Sequence, residues 1–244
     1  MLSTREAADI LGVSQASVRR WSDSGQLRVR RLGRRKDRRF LRDDVDRFRA
    51  AGLAQGEAPP TAQPTSLRLG GATVPFNTHL APFYDSDEGR MRLALPFLAD
   101  GLRAGETCFL IASGAVLDDY LDRLGRQPDL DLEGKVASGQ LVTRPGPGRT
   151  VKEALAFWED SLWERYAESR GPFRAVAEMA RVRLQFESES AMLEFEAAVT
   201  AVLKRFPVVV LCQYDVREFS GEAVLTALKT HPDVFNVPLG SLLL

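Results

Sequence analysis

From residue 105 to residue 229 the sequence alternates apolar runs of strand length with segments whose apolar residues lie three or four positions apart. The first pattern is typical of buried strands and the second of helices that pack on one side. Strands that alternate with helices need crossover connections, which make the strands parallel and cover both faces of the sheet. We therefore predict a mostly parallel α/β domain, with strands at residues 107–113, 140–144, 173–180 and 208–214.

The first 50 residues predict a second, smaller fold that begins with two helices. Ser3 and Glu6 have the spacing of a capping box, which starts a helix that ends at Gly12. Ser14 is placed to cap the next helix, over residues 15–24.

A basic hairpin follows the two helices. Residues 27–29 have the composition of a strand, and the segment LGRRKDRR at 32–39 turns at Gly33 and returns toward the core. Asp43 or Asp44 then caps a short third helix. Two helices, a hairpin and a third helix predict a small winged helix-turn-helix.

The charge of this small domain indicates binding to DNA. Residues 1–50 hold 14 Lys and Arg against 7 Asp and Glu, and the rest of the chain holds 19 against 26. Cations clustered on one hairpin are typical of phosphate contact, and the second helix of such a motif enters the major groove. A solvated basic hairpin in a protein-binding module is the alternative. The predicted DNA contacts are Gln15, Ser17, Arg19 and Arg20 on the helix and Arg34, Arg35, Lys36, Arg38 and Arg39 on the hairpin.

The run LSTREAADILGVSQASVRRWSDSGQL, followed by RRF-x-x-DDV, resembles the MerR/excisionase type of winged helix-turn-helix. The resemblance covers almost all of residues 1–50. It implies double-stranded DNA as a partner of this domain.

Composition divides the chain into three parts. Residues 51–77 are rich in Ala, Gly, Pro, Gln and Thr, which predicts a flexible linker between a DNA-binding domain at 1–50 and a domain at 78–244. No apolar stretch of about 18 residues and no signal-peptide pattern occurs, so we expect a cytoplasmic protein without a membrane partner. Cys108 and Cys212 fall at different heights on predicted strands, so we expect no disulfide.

The α/β domain has the layout that precedes the phosphate loop of RecA/KaiC-like ATPases, but it lacks the loop. Gly101-Leu102-x-x-Gly105-Glu106 leads into an apolar strand, as in those proteins. The following Ser113-Gly114-Ala115-Val116 has neither the lysine nor the magnesium-binding hydroxyl that a Walker A motif needs. Since no nucleophile-base-acid trio is visible either, we expect no enzyme activity, no catalytic residue and no cofactor.

Short motifs follow one another along this domain in the order His79, Phe83-Tyr84, Pro96-Phe97, Gly101-Leu102, Gly105-Glu106, Ala177-Glu178-Met179, Leu211-Cys212-Gln213-Tyr214-Asp215 and Thr230-His231-Pro232. Their order and spacing resemble the MEDS domain, a DcmR-like sensory module, over about residues 78–238. The resemblance implies a sensor fold derived from RecA/KaiC-like proteins that detects small hydrocarbon-type or one-carbon compounds. One departure is Ala177, where a glycine is expected.

Ligands of open α/β sheets bind outside the carboxyl ends of the strands. Glu178 is the sharpest candidate, because a carboxylate that ends an apolar strand must be paired, hydrated or bound to a ligand. If Tyr214 lies on the neighbouring strand, the two residues form the polar end of one pocket. The predicted ligand-binding residues are Ser113, Glu178, Tyr214 and Asp215, with His79, Tyr84 and His231 as walls.

Two alternatives accompany these ligand assignments. Glu178 can instead form an internal salt bridge to Arg144, Arg181 or Arg217. The two histidines lie far apart in the sequence, so we expect structural capping from each of them. No ligand spacing indicates a metal site.

Together, these features predict a DNA-binding transcription regulator that senses a small-molecule effector through its C-terminal domain. One alternative is an excisionase-like structural DNA binder whose C-terminal domain binds proteins, and another is a nucleotide-binding enzyme. No sustained heptad follows the hairpin, so we expect any homodimer to form through the C-terminal domain.

Overall fold

The computed structural model of the chain describes residues 1–11, 13–23, 27–32, 37–54, 65–169, 171–238, 240 and 242–244. The chain divides into two compact units, Met1–Ala62 and Gln63–Leu244. Among the described residues, no helix is long and apolar enough to span a membrane.

The first unit contains the predicted helices and hairpin. Its elements are α1 (Thr4–Leu11), α2 (Gln15–Asp23), β1 (Arg30–Leu32), β2 (Asp37–Arg39) and α3 (Arg42–Ala54). The capping box forms as predicted, since Ser3 N donates to Glu6 Oε2 at 2.8 Å and Glu6 N to Ser3 Oγ at 3.3 Å. The core of this unit includes Ala7, Val18, Leu27, Phe40 and Val45, all of them buried.

Two boundaries in this unit differ from the prediction. The first strand of the hairpin is Arg30–Leu32 rather than 27–29, because Leu27 is a buried core residue. The third helix has 13 residues and ends at Ala54, beyond the predicted domain limit at residue 50. The turn of the hairpin, including Gly33, lies outside the described residues.

The second unit is an α/β domain of eight strands and seven helices within the described residues. Its helices are α4 (Asp87–Arg103), α5 (Gly114–Gly125), α6 (Leu132–Ala137), α7 (Val151–Ser169), α8 (Met179–Val182), α9 (Glu189–Leu203) and α10 (Gly221–Thr230). Its strands are β3 (Ser66–Leu69), β4 (Ala72–Pro75), β5 (Thr78–Leu80), β6 (Phe83–Tyr84), β7 (Thr107–Ile111), β8 (Leu141–Arg144), β9 (Phe173–Glu178) and β10 (Val208–Asp215).

Six of these strands form one parallel sheet in the order β5-β10-β9-β7-β8, with β6 also paired to β10. The prediction of a mostly parallel sheet is confirmed, and β7, β8, β9 and β10 correspond to the four predicted strands. The short strands β5 and β6 were not predicted. Residues 242–244 run beside β6, where Leu244 N donates to Phe83 O at 2.8 Å.

The predicted linker at 51–77 is wrong for its second half. Strands β3 and β4 form an antiparallel hairpin, with Leu69 paired to Ala72 across a two-residue Gly70-Gly71 turn. Both glycines have positive φ, 53° and 85°, as a tight hairpin turn requires. The alternating residues Leu67, Leu69 and Val74, with Phe76, are buried in the core of the α/β domain.

Side chains alternate along β10, so Cys212 and Tyr214 lie on one face of the sheet and Gln213 lies on the other. Gln213 pairs with Glu178 in register, which places Glu178 on the face covered by α4 and α5. Val210 pairs with His79, which places His79 on the face covered by α9 and α10. The α4–α5 face and the α9–α10 face therefore carry different predicted site residues.

Candidate functional site

The recognition helix α2 presents part of the predicted DNA-reading surface. Gln15 and Arg19 are exposed, as a base contact requires. Ser17 is fully buried and its hydroxyl lies 2.9 Å from Ser14 Oγ, so its prediction as a base-reading residue is wrong. Ser17 instead belongs to the cap of the helix, since its own amide donates to Ser14 Oγ at 3.1 Å. The side chain of Arg20 lies outside the described residues.

The hairpin brings arginines into opposite positions on its two strands. Arg30 pairs with Arg39, and Arg31 pairs with Arg38. Like charges directly across a sheet destabilise it, and a bound polyanion removes that cost. Arg38 and Arg39 are partly exposed, whereas the predicted contacts Arg34, Arg35 and Lys36 lie outside the described residues. The sequence had not singled out Arg30 and Arg31, although both are exposed beside the predicted contacts.

In the α/β domain, Glu178 lies at the end of β9 within a hydrogen-bond network on the α4–α5 face. The Tyr84 hydroxyl donates to Glu178 Oε2 at 2.9 Å, and Gln213 Nε2 donates to Glu178 Oε1 at 2.8 Å. The Tyr120 hydroxyl of α5 donates to the same Oε1. Burial raises the pKa of Glu178, and the three donors oppose that rise.

Two predictions about Glu178 are therefore corrected. Arg181 pairs with Glu218 at 2.5 Å and Arg217 pairs with Asp215 at 2.7 Å, so neither forms the expected salt bridge with Glu178. Arg144 Nη1 donates to the carbonyl of Thr143 at 2.9 Å. Tyr214 lies on the opposite face of the sheet, so it does not share a pocket with Glu178.

Asp215 and Ser113 belong to neither face's cluster. Asp215 accepts from the backbone amide of Arg217 at 3.0 Å as well as from its guanidinium, and these bonds lower the pKa of Asp215 against the opposing effect of burial. Ser113 is the N-cap residue of α5, and its side chain makes no capping hydrogen bond.

The α9–α10 face brings the two histidines together. His79 and His231 have ring centroids 4.0 Å apart, although 151 residues separate them in the sequence. Glu196 of α9 and Cys212 of β10 complete a buried group of four, whose potential ligand atoms all lie within 4.8 Å of one another. The expectation that each histidine serves a separate capping role is thus wrong for His79, while His231 does cap α10 through its amide bond to Ala227 O at 3.1 Å.

The contacts inside this group are short. His79 Nε2 lies 3.1 Å from Cys212 Sγ and 3.6 Å from Glu196 Oε2. His231 Nε2 lies 2.9 Å from Glu196 Oε2. Burial lowers the pKa of His79, with the neighbouring His231 and Lys204 adding to the effect, so this ring is neutral.

A narrow cavity adjoins this group, between the sheet and helices α7 and α9. The volume open to the centre of a water-sized sphere is about 10 Å³. Three of the side chains that line the cavity are polar, and most of the other lining side chains are apolar. The lining includes His79, Glu196 and Cys212 together with Ile111, Trp158, Ala177, Met179, Phe195, Val199 and Leu203.

Four polar residues of these two clusters are not among the ligand-binding residues predicted from the sequence. They are Tyr120, Gln213, Glu196 and Cys212. A signal for Glu196 was present, because it lies four residues after Met192 and three before Val199 on a predicted buried stripe. A carboxylate on such a stripe needs a partner or a ligand.

Comparison with known proteins now adds the family. Residues 78–232 match the MEDS model, described as the MEthanogen/methylotroph, DcmR Sensory domain, and residues 1–52 match a helix-turn-helix domain. The chain belongs to the MEDS family. One MEDS relative is the transcriptional repressor DcmR of Methylorubrum extorquens, which is 34% identical over 247 residues, covering 98% of this chain and 92% of that protein.

The solved structures that this MEDS protein resembles are more distant from it. The flagellar accessory protein FlaH from Methanocaldococcus jannaschii is 13% identical with a TM-score of 0.46, over 66% of this chain and 71% of that one. A KaiC-like protein from Pyrococcus horikoshii OT3 is 16% identical with a TM-score of 0.46, over 65% of this chain and 71% of that one.

With its helix-turn-helix and its sensory domain, this MEDS protein is a DNA-binding transcription regulator that responds to a signal.

Proposed function

We propose that the signal is a small apolar molecule and that it enters the cavity between the sheet and helices α7 and α9. The observation that supports this is the lining of the cavity, which is mostly apolar with three polar groups on one side. Small-ligand sites in proteins usually have this composition. The open space of about 10 Å³ is near the minimum for one water, which favours an effector of about one-carbon size.

The DNA-bound state is the repressing one in this proposal. The relative DcmR is a transcriptional repressor, and this chain aligns with nearly all of it. The unliganded protein binds its operator, and the effector lowers that affinity. Such coupling requires that the effector bind the two conformations of the chain with different affinities.

A DNA-binding assay with the full chain tests the effector site. An operator is first obtained by selection from random DNA, and its affinity is measured with methanol, chloromethane and ethane as probes. Ala177→Val adds two methyl groups to the cavity wall and should abolish any effect of the active probe. Ala115→Val, at an exposed position on α5, is the control and should leave the response intact. An unchanged response in Ala177→Val contradicts the assignment of the cavity.

We also propose how the DNA is read. Gln15 and Arg19 contact base edges, while the arginines at 20, 38 and 39 and the basic residues 34–36 contact phosphates. The exposed positions of Gln15 and Arg19 and the facing arginines of the hairpin support these roles. Such phosphate contacts bind DNA without regard to its sequence.

The salt dependence of binding distinguishes the two roles. Replacing Arg34 and Arg35 by Ala should weaken binding to all sequences and reduce the salt slope by about one unit per lost contact. Gln15→Ala should change sequence preference instead. Arg103→Ala, in the sensory domain, is the control. An unchanged salt slope in the double variant contradicts the assignment of the hairpin.

We infer further that two copies join through their C-terminal domains, that the protein acts in the cytoplasm, and that it carries no catalytic activity. Helix-turn-helix proteins commonly bind two half-sites as dimers, which supports the first inference. Sedimentation of the full chain at micromolar concentration should show a dimer. A monomer at that concentration contradicts it.

A further inference from the structure

The group on the α9–α10 face combines the donor atoms that metal ions of the zinc type prefer. Two imidazole nitrogens, one thiol and one carboxylate converge from four separate elements of the fold. All four side chains are buried, with exposed fractions between 0% and 3%. Around a tetrahedral zinc ion with bonds of about 2.0–2.3 Å, donor atoms lie about 3.2–3.8 Å apart. Three of the separations, 2.9, 3.1 and 3.6 Å, lie within or close to that range, and all four donor atoms lie within 4.8 Å of one another.

Hydrogen bonding alone does not account for the contact between His231 and Glu196. His231 Nδ1 lies 2.8 Å from the carbonyl of Ala227, and a carbonyl only accepts, so the ring proton is on Nδ1. In the neutral ring, Nε2 is then an acceptor that faces the acceptor Glu196 Oε2 at 2.9 Å. This contact has the distance of an ion pair but not the geometry of a hydrogen bond, and both atoms are buried without any hydrogen-bond partner among the described residues.

The outer contacts of the two histidines are those of metal ligands. In metal sites the second ring nitrogen of a histidine is usually held by a carbonyl or another polar group, which orients the ring. Here Ala227 O holds Nδ1 of His231, and Thr200 Oγ1 lies 3.0 Å from Nδ1 of His79. Both Nε2 atoms consequently point into the group with their orientation fixed.

Charge also favours a divalent ion at this place. A carboxylate and a thiolate carry two negative charges, and the two imidazoles are neutral ligands. One divalent cation therefore neutralises the charge of the four ligands when the thiol is deprotonated. Binding of the ion displaces the proton of the Cys212 thiol to solvent, because a cysteine ligates a metal as the thiolate.

We propose that His79, Glu196, Cys212 and His231 form a binding site for one Zn²⁺ ion, with four protein ligands. Four protein ligands and a buried position are characteristic of structural zinc sites. The site lies on the α9–α10 face and ties β5 and β10 to α9 and the end of α10. Three of its ligands, His79, Glu196 and Cys212, also line the cavity, but the ion needs no effector in the cavity to bind.

Cobalt titration of the full chain, without a histidine tag and after chelator treatment, tests the proposal. Since the sequence has only two histidines, a signal from imidazole ligands must come from this group. We expect one Co²⁺ per chain, with visible d–d bands and a thiolate-to-cobalt charge-transfer band, both removed by one equivalent of Zn²⁺. Absence of saturable binding at one equivalent overturns the proposal.

Matched variants locate the ion. Cys212→Ser should remove the charge-transfer band, whereas Cys108→Ser, at the other buried cysteine, should leave it unchanged. Glu196→Gln and His231→Gln should weaken cobalt affinity by at least about 100-fold, since loss of an outer partner alone costs about 10–100-fold. A charge-transfer band that survives in Cys212→Ser, or disappears in Cys108→Ser, rules the assignment out.

One variant keeps the test decisive if a ligand substitution prevents folding. Thr200→Val has nearly the same shape and removes only the polar partner of His79 Nδ1. It should weaken cobalt affinity by about 10–100-fold while leaving the circular dichroism spectrum unchanged. An unchanged affinity in a folded Thr200→Val protein contradicts the proposal. Because Ala177→Val leaves all four ligands in place, failure of the effector site and failure of the metal site are separable.

Discussion

Glu178 and Glu196 are two carboxylates that lie on opposite faces of one sheet, each with 1% of its surface exposed. Glu178 receives hydrogen bonds from two tyrosines and a glutamine, and each of its oxygens has a donor. Glu196 Oε2 faces the Nε2 atoms of His79 and His231 and has no partner in hydrogen-bond geometry among the residues that the structure describes. The two carboxylates are therefore equally buried but differ in their hydrogen bonds. Both oxygens of Glu178 have donors, whereas Oε2 of Glu196 has none among the described residues.

The difference shows how a buried carboxylate can be assigned a role. Buried polar groups are nearly always hydrogen-bonded, and a fully satisfied network makes the core rigid and specific. Glu178 fits that description and serves the architecture of the sheet. Glu196 departs from it, and such departures are where ligands and ions bind. Proximity to a strand end, which first selected Glu178, is a weaker criterion than the state of its hydrogen bonds.

The largest expected effect comes from removing the satisfied carboxylate. Glu178→Ala leaves the hydroxyls of Tyr84 and Tyr120 without their carboxylate acceptor, while Gln213 Nε2 keeps the Arg90 carbonyl and the Tyr120 hydroxyl as acceptors. Each unsatisfied group costs about 1–3 kcal/mol, so for the two hydroxyls we expect a loss of about 2–6 kcal/mol in the unfolding free energy. Urea denaturation followed by circular dichroism measures it. A loss below about 1 kcal/mol contradicts the structural role of Glu178.

The unsatisfied carboxylate should behave differently, and zinc should reveal the difference. At a free Zn²⁺ concentration 100 times the dissociation constant, we expect the wild-type unfolding free energy to rise by about 2.7 kcal/mol. Glu196→Gln should lose this gain while changing the stability of the chelator-treated protein by less than about 1 kcal/mol. Thermal or urea denaturation with and without Zn²⁺ measures both quantities. Equal stabilisation in the variant breaks the comparison.

The sequence was informative about the fold wherever burial was continuous. Strands β7, β9 and β10 are apolar over their whole length, and such runs are visible without any knowledge of pairing. Strands β5 and β6 have only three and two residues, too few for a pattern. The β3–β4 hairpin falls inside the predicted linker because Gly70 and Gly71 contribute to its linker-like composition, although two glycines between alternating apolar positions also predict a hairpin.

The site was less predictable because it depends on register. Glu178 and Tyr214 were placed on neighbouring strands correctly, but only the pairing of Glu178 with Gln213 reveals that Tyr214 points to the other face. A shift of one residue exchanges the two faces, and the apolar runs of parallel strands do not fix that shift. The meeting of His79 with His231 depends on the same long-range pairing.

The pH dependence of stability gives a smaller effect that sharpens the comparison. Burial raises the pKa of Glu178 above its ordinary value of 4.5, so protonation favours the folded state. The neighbouring Tyr84 and Tyr120 stay protonated because burial and Glu178 raise the pKa of each, and Arg90 stays charged. The stabilising contribution of Glu178 is full below pH 4.5 and is lost as the pH rises through the folded-state pKa.

Glu178→Gln removes this titration while it keeps the shape of the side chain. The unfolding free energy of the wild type minus that of the variant should therefore be largest near pH 4 and decrease toward pH 8. Urea denaturation of both proteins across this range measures the difference. A difference that grows with pH shows that hydrogen bonds, rather than burial, dominate the pKa of Glu178.

The smallest effect separates two buried tyrosines that differ in the same way as the two carboxylates. Tyr84 donates to Glu178 at 2.9 Å, whereas the Tyr214 hydroxyl lies close to Glu196 on the other face but has no partner in hydrogen-bond geometry among the described residues. Tyr84→Phe removes one donor from the buried Glu178 carboxyl group. If Glu178 is ionised, we expect the unfolding free energy to fall by about 1.5–3 kcal/mol, the range for a hydrogen bond to a charged group. If Glu178 is protonated, we expect a fall of about 1 kcal/mol. Tyr214→Phe keeps the ring contacts with Phe83 and Phe219 and removes only the hydroxyl. Because that hydroxyl is unsatisfied, the unfolding free energy should either change by less than about 0.5 kcal/mol or rise. Urea denaturation of the two chelator-treated variants measures the unfolding free energy of each. A larger loss of unfolding free energy in Tyr214→Phe than in Tyr84→Phe would mean that hydrogen bonds to Glu196 stabilise the α9–α10 face and that this face is not arranged for an ion.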